Sequence, residues 1–184
     1  MDTVKEHLKN TFSTYELELL RYFYLCIAYD GSKFLILLIF FSFFHLGWEF
    51  CMEILFLLSL RNFFGGLHFK HYLSCFAFTF AFSSVGLILS HWIVLHHSCQ
   101  IFLLVMILLV SMTLKPVTSS GRPPLSAKQE CIFHRCGMTV LFLYVALFLT
   151  IPTFPYRNLC FWVIVLQTVQ LISAKLFLKG EKKS

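Results

Sequence analysis

Charge is what this sequence has least of. Only 13% of its 184 residues are Asp, Glu, Lys or Arg, 58% are hydrophobic, and the mean hydropathy reaches +0.78. A soluble domain carries roughly 25% charged residues, so the composition excludes one and points to an integral membrane protein. Proline is scarce as well, and all five prolines fall in two stretches, KPVTSSGRPPLSAKQE from Lys115 and PTFPYRN from Pro152. Both read as loops, because no helix interior tolerates such clusters. The first eleven residues, MDTVKEHLKNT, lack an apolar h-region and a small-residue cleavage site, so no cleavable signal peptide is expected. The seven cysteines are odd in number and irregularly spaced, which gives no disulfide framework; taken singly, each reads as a small apolar filler.

What is abundant is apolar sequence of spanning length, rich in the 23 phenylalanines. Residues 11–29 are mixed, with Phe12, Tyr15, Leu19, Phe23 and Ile27 near helical spacing and Glu16, Glu18 and Arg21 between them. That pattern predicts an amphipathic helix lying on the membrane. Residues 34–60 hold two apolar stretches separated by Gly47, Trp48, Glu49 and Glu53. One straight helix over this range would be roughly 40 Å long against a hydrocarbon core of roughly 30 Å, so a hairpin turning near Gly47 is expected. Segments 72–89, 132–151 and 159–178 can each span, and 99–114 nearly so. The expected fold is therefore all-α. A single polytopic domain covers residues 1–184, with an amphipathic N-terminal segment (1–30) followed by about six transmembrane or re-entrant helices (31–184).

Lys and Arg sort into alternate connections. Lys5, Lys9, Arg21 and Lys33 lie at one end of the chain and Lys175, Lys179, Lys182 and Lys183 at the other; Arg61 with Lys70, and Lys115, Arg122, Lys128 and Arg135, lie near two internal connections. The hairpin turn and residues 91–98 have none, and the loop from Pro152 has only Arg157. Cytoplasmic loops carry the Lys/Arg excess, so the protein is expected in the cell membrane, multi-pass, with both termini cytoplasmic.

One polar stretch stands at the mouth of an apolar run: RNFFGGLHFKHYLSC, from Arg61 to Cys75. A cysteine nucleophile needs its thiolate, which a base such as His68 or a cation such as Arg61 or Lys70 favours. Positions seven apart on one helix are separated by about 10.5 Å along its axis. His68 is therefore expected in an irregular loop folded back toward Cys75, with Gly65-Gly66 supplying the bend. The bland reading of the same residues is a helix break, two topology anchors and a packed cysteine.

The string R-x-x-x-G-G-x-H-x6-C, here Arg61, Gly65, Gly66, His68 and Cys75, resembles the signature of the AgrB family, membrane peptidases of Gram-positive quorum sensing. The chain length, the N-terminal amphipathic part, the hairpin before the motif and the Pro/Lys-rich loop match as well. Asn62 stands where family members often carry a second basic residue. The resemblance implies a cysteine endopeptidase acting on an AgrD-like propeptide, with Cys75 as nucleophile and His68 as its base. Arg61, Gly65, Gly66 and Lys70 would serve as substrate-binding or structural support. The C-terminal tail would be released, the rest held as a thioester, and a cysteine or serine of the peptide would then close a thiolactone or lactone ring. A homodimer is implied too. Membrane lipids are expected as partners, and the Lys/Arg alternation puts the Arg61 to Cys75 stretch, and with it the active site, at the cytoplasmic face. No cofactor, metal or nucleic acid is expected.

Other polar groups have weaker readings. Glu49 and Glu53 are costly in lipid and so draw attention; either they line the hairpin turn without a catalytic part, the favoured expectation, or the hairpin is shallow and re-entrant and brings one of them inward. HHSC (His96 to Cys99) and CIFHRC (Cys131 to Cys136) have only partial metal-ligand spacing. Ser83, Ser84 and Gly86 would permit close helix packing, including a subunit contact. The rival function is a small membrane transporter or peptide-export subunit, with His68, Glu49 and Glu53 on a solute path.

Overall fold

Each apolar run of the sequence forms a helix. The computed structural model describes residues 14–66, 71–114, 116–117, 126–151 and 153–181, and all regular structure among them is helical: α1 (Thr14–Phe43), α2 (Gly47–Phe64), α3 (Tyr72–Trp92), α4 (His97–Thr113), α5 (Ala127–Thr150) and α6 (Arg157–Glu181). Three of them, α3, α5 and residues Arg157–Leu176 of α6, are long and apolar enough to cross a membrane; α4 is apolar but shorter. The all-α class is thus established, with three helices suited to spanning.

The amphipathic segment and the first arm of the hairpin, expected as separate elements, are one continuous helix. Gly31 at their junction does not break α1, and nothing lies within 4 Å of where its Cβ would be. A glycine inside a helix costs only about 1 kcal/mol, and burial of Leu37 and Phe41 on the same helix offsets it. The hairpin turn falls two residues before Gly47. The Leu46 amide donates to the Phe41 carbonyl at 2.9 Å and the His45 amide to the Ser42 carbonyl at 3.0 Å, with His45 left-handed at φ 60°. This is a Schellman termination in which histidine takes the usual glycine position. Gly47 instead opens α2, where a Cβ would run into the Ser42 hydroxyl.

Helices α2 and α6 form the centre, each packed against several of the others. Phe50, Phe56, Leu57, Leu60 and Phe64 of α2 meet Phe161, Val163 and Ile164 of α6 and Phe148 of α5 in one buried cluster. The surface is the inverse of a soluble protein's. Leu73, Ile88, Phe102, Phe142 and Leu55 point outward, while Lys33, Glu53, Ser83, Gln100, Gln167 and Gln170 are buried. Large exposed apolar faces with polar groups inside are what a lipid solvent selects.

Glu53 corrects one expectation. Glu49 is half-buried in the first turn of α2, near the hairpin turn, but Glu53 is fully buried, and neither of its carboxyl oxygens has a hydrogen-bond partner among the described residues. The reason is helical phase: one turn beyond Glu49 the side chain faces α3, where Gly86 has no Cβ and Glu53 occupies the space. The small residues Ser83 and Gly86 are buried within the chain, so the close packing they permit is between its own helices.

Candidate functional site

The end of α2, the start of α3 and the last part of α6 converge on the Gly65-Gly66 turn. Helix α2 stops there because Gly65 adopts φ +78°, a conformation L side chains rarely take, and a Cβ on it would strike the Val117 carbonyl. The Gly65 amide still closes on Arg61 O at 2.8 Å, and the Val117 amide donates to Phe64 O at 2.9 Å, tying the start of the α4–α5 connection to the turn. On the other side, Gln167 Nε2 donates to the Gly65 carbonyl at 2.9 Å. A Cβ on Gly66 would lie 3.0 Å from Gln170 Nε2 and 3.3 Å from Arg61 Nε, so this glycine lets both side chains close over the backbone. Gln170 is buried, and among the described residues neither its amide oxygen nor its nitrogen finds a hydrogen-bond partner; the same holds for Gln167 Oε1.

Helix α3 begins after His71, whose carbonyl accepts from the Cys75 amide at 3.1 Å. Cys75 therefore sits in the first turn, at the positive end of the helix dipole, with 7% of its surface exposed. Its sulfur accepts a hydrogen bond from Lys33 Nζ at 3.2 Å, and that ammonium also pairs with Asp30 at 2.7 Å. Lys33 stands 5.8 Å from the Tyr72 ring centroid, and the Tyr72 hydroxyl is 2.9 Å from Ser32 Oγ. Arg61, half-buried at the end of α2, lies within electrostatic reach of both Cys75 and Asp30. The site thus gathers a thiol, two cations, one carboxylate and two side-chain amides with unmatched hydrogen-bonding atoms at one end of the bundle.

The family model for Accessory gene regulator B, AgrB, matches residues 2–171 of this chain, nearly its whole length. The chain belongs to the AgrB family. Membership carries a role in processing autoinducer peptides in quorum sensing, association with the membrane and an AgrD-like propeptide as partner; AgrB proteins are generally associated with peptidase activity on AgrD. No curated protein and no solved structure matches the chain.

Of the AgrB-type residues singled out from the sequence, Arg61, Gly65, Gly66 and Cys75 come together, while His68 and Lys70 lie outside the described residues. The cysteine–histidine clusters have structural duties. His96 Nδ1 caps α4 by accepting from the Ser98 amide, His97 stacks on Phe148 and meets Arg157, and His134 packs edge-on against Phe64. Among the described residues no three His, Cys, Asp or Glu groups form a metal site.

Sequence reasoning missed Lys33, Asp30, Gln167 and Gln170. Lys33 reads as one more basic residue before an apolar run, which topology alone explains. Its signal is Asp30 one helical turn earlier, a pair that can neutralise itself on burial. The signal for the glutamines is their i, i+3 spacing inside the apolar run of α6, which puts two amides on one buried stripe.

Proposed function

We propose that this AgrB protein is a single-domain, membrane-embedded cysteine endopeptidase that removes the C-terminal tail of an AgrD-like propeptide and promotes ring closure of the remainder. The observation that carries it is the setting of Cys75: a sulfur in the first turn of a helix, hydrogen-bonded to an ammonium and within electrostatic reach of Arg61. Cys160, also buried, packs in the apolar cluster instead.

His68 takes the thiol proton, and the Cys75 sulfur attacks the scissile carbonyl. A carbon–sulfur bond forms, the carbon–nitrogen bond breaks, and the amine leaves with the proton from the imidazolium. The tail departs and the peptide stays as a thioester. A cysteine or serine of the peptide, giving its proton to His68, then attacks that carbonyl; the new bond closes the (thio)lactone, the carbon–sulfur bond to Cys75 breaks, and the released Cys75 thiolate takes the proton back. Ring closure wins over hydrolysis where water is excluded, and a nearly buried sulfur among apolar helices meets that condition. Arg61 binds substrate carbonyl or released carboxylate, Gly65 and Gly66 shape the turn, and Lys70 adds positive charge toward an acidic tail. The active site faces the cytoplasm, both termini are cytoplasmic, and the protein works as a homodimer.

Co-expression of a candidate propeptide with wild type, Cys75→Ala and His68→Ala, read by mass spectrometry for tail release, tests this reading. Tail release is expected from wild type alone; normal cleavage by both variants sinks it. The enclosed Glu53 carboxyl is the observation a transport function would rest on. That reading predicts intact peptide in all three strains.

A further inference from the structure

Lys33 does something that its neighbourhood in sequence does not require. An exposed i, i+3 pair satisfies itself at a helix surface, and the Asp30 side chain is 55% exposed. Lys33 is turned the other way: its side chain is 7% exposed, its ammonium keeps one contact to Asp30, and it spends another on the Cys75 sulfur. Removing an ammonium from water is costly unless other groups compensate. A neutral thiol is a weak acceptor, whereas a thiolate opposite a cation is a strong one. The pairing therefore gains most when the sulfur carries charge. Because α1 continues unbroken through Gly31, Lys33 is held by the same helix that buries Leu37 and Phe41, and its aim at the sulfur is set by the core.

We propose that Lys33 is a further catalytic residue, whose ammonium stabilises negative charge on the Cys75 sulfur at the two points where that charge exists. This rests on Cys75 being the nucleophile. Before attack, the thiol proton has passed to the base and the sulfur faces the ammonium as an anion. On acylation the electron pair goes into the new carbon–sulfur bond and the charge moves to the carbonyl oxygen. During ring closure the carbon–sulfur bond breaks and the electron pair returns to sulfur, again opposite Lys33, so the same cation eases departure of the leaving group. Lys33 stays protonated throughout. Asp30 is a positioning residue that holds the ammonium, and Tyr72, tied to Ser32, forms its aromatic flank.

The test uses the full-length protein in detergent, alkylated at fixed pH and mapped by mass spectrometry at Cys75, with Cys160 as the reference for loosening of the fold. Iodoacetate and iodoacetamide are compared, since a cation beside the sulfur favours the anionic reagent while accessibility changes affect both alike. Lys33→Met is expected to slow alkylation of Cys75 by at least ~10-fold and to lower the iodoacetate-to-iodoacetamide ratio, and Lys33→Arg to restore both to within ~3-fold of wild type. Tail release from a co-expressed propeptide should fall in the same order. Unchanged rate and ratio in Lys33→Met overturn the proposal, as does faster labelling of Cys75 and Cys160 together, which would assign Lys33 to packing. Cleavage that survives Cys75→Ala instead removes the nucleophile on which the proposal depends. The alkylation ratio still measures whether Lys33 acts on the sulfur.

Discussion

The two ends of the helix bundle treat polar side chains in opposite ways. At the end where α3 meets α4 and α6, donors and acceptors are matched. Asn158 Nδ2 donates to the carbonyls of Ser90 and Ile93, its Oδ1 accepts from Gln100, and the Trp162 indole also donates to Ile93 O. The Arg157 guanidinium lies 4.2 Å from the Phe148 ring and meets His97, with Nε the exception left over. At the Gly65-Gly66 end, Gln170 has no partner among the described residues, Gln167 is half satisfied, and an ammonium is aimed at a thiol. Matched groups close loops and fix helix ends. Unmatched ones, held in place by good packing, are available to a ligand.

Five substitutions sharpen the contrast. The largest effect is expected from Cys75→Ala, which should abolish tail release while leaving helical content intact; Cys160→Ala should retain cleavage, as seen by mass spectrometry of the same propeptide. Gly65→Ala forces a side chain into φ +78° and against the Val117 carbonyl, a strain of about 1–3 kcal/mol. A lower thermal midpoint in detergent, with reduced cleavage, is the expected readout. Asn158→Ala removes three hydrogen bonds at the opposite end. Interhelical bonds in lipid are individually weak, so about 1–2 kcal/mol of stability should be lost while turnover per folded molecule is unchanged. The smallest change in stability is expected for Gln170→Ala, within about 1 kcal/mol, since no hydrogen bond is deleted. A loss for Gln170→Ala as large as that for Asn158→Ala would erase the distinction between the two ends.

Much of the fold was legible because lipid imposes a simple rule: an apolar run of sufficient length becomes a helix. Expected segments 72–89, 132–151 and 159–178 correspond to Tyr72–Trp92, Ala127–Thr150 and Arg157–Glu181. Continuity of α1 was not legible. A charged cluster with a glycine suggests a boundary, and only the tertiary setting shows Lys33 turned inward on a helix that never pauses. The hairpin turn was located to within a few residues but assigned to the wrong chemistry, because a left-handed histidine carries no sequence signal while a glycine does. Within the site, Arg61, Gly65, Gly66 and Cys75 are contiguous enough to be recognised together. Lys33 and Gln170 reach the same place from distant helices, which no local pattern reveals.

The bond between Val117 and Phe64 makes two distant parts of the chain share a mechanical fate. An insertion between Leu114 and Val117 would pull on the turn that seats Arg61 and Gly65. Because the Val117 carbonyl also abuts Gly65 and Gln167 grips the same peptide from the opposite side, the corner is clamped between two strangers in the chain and cannot shift without dragging both.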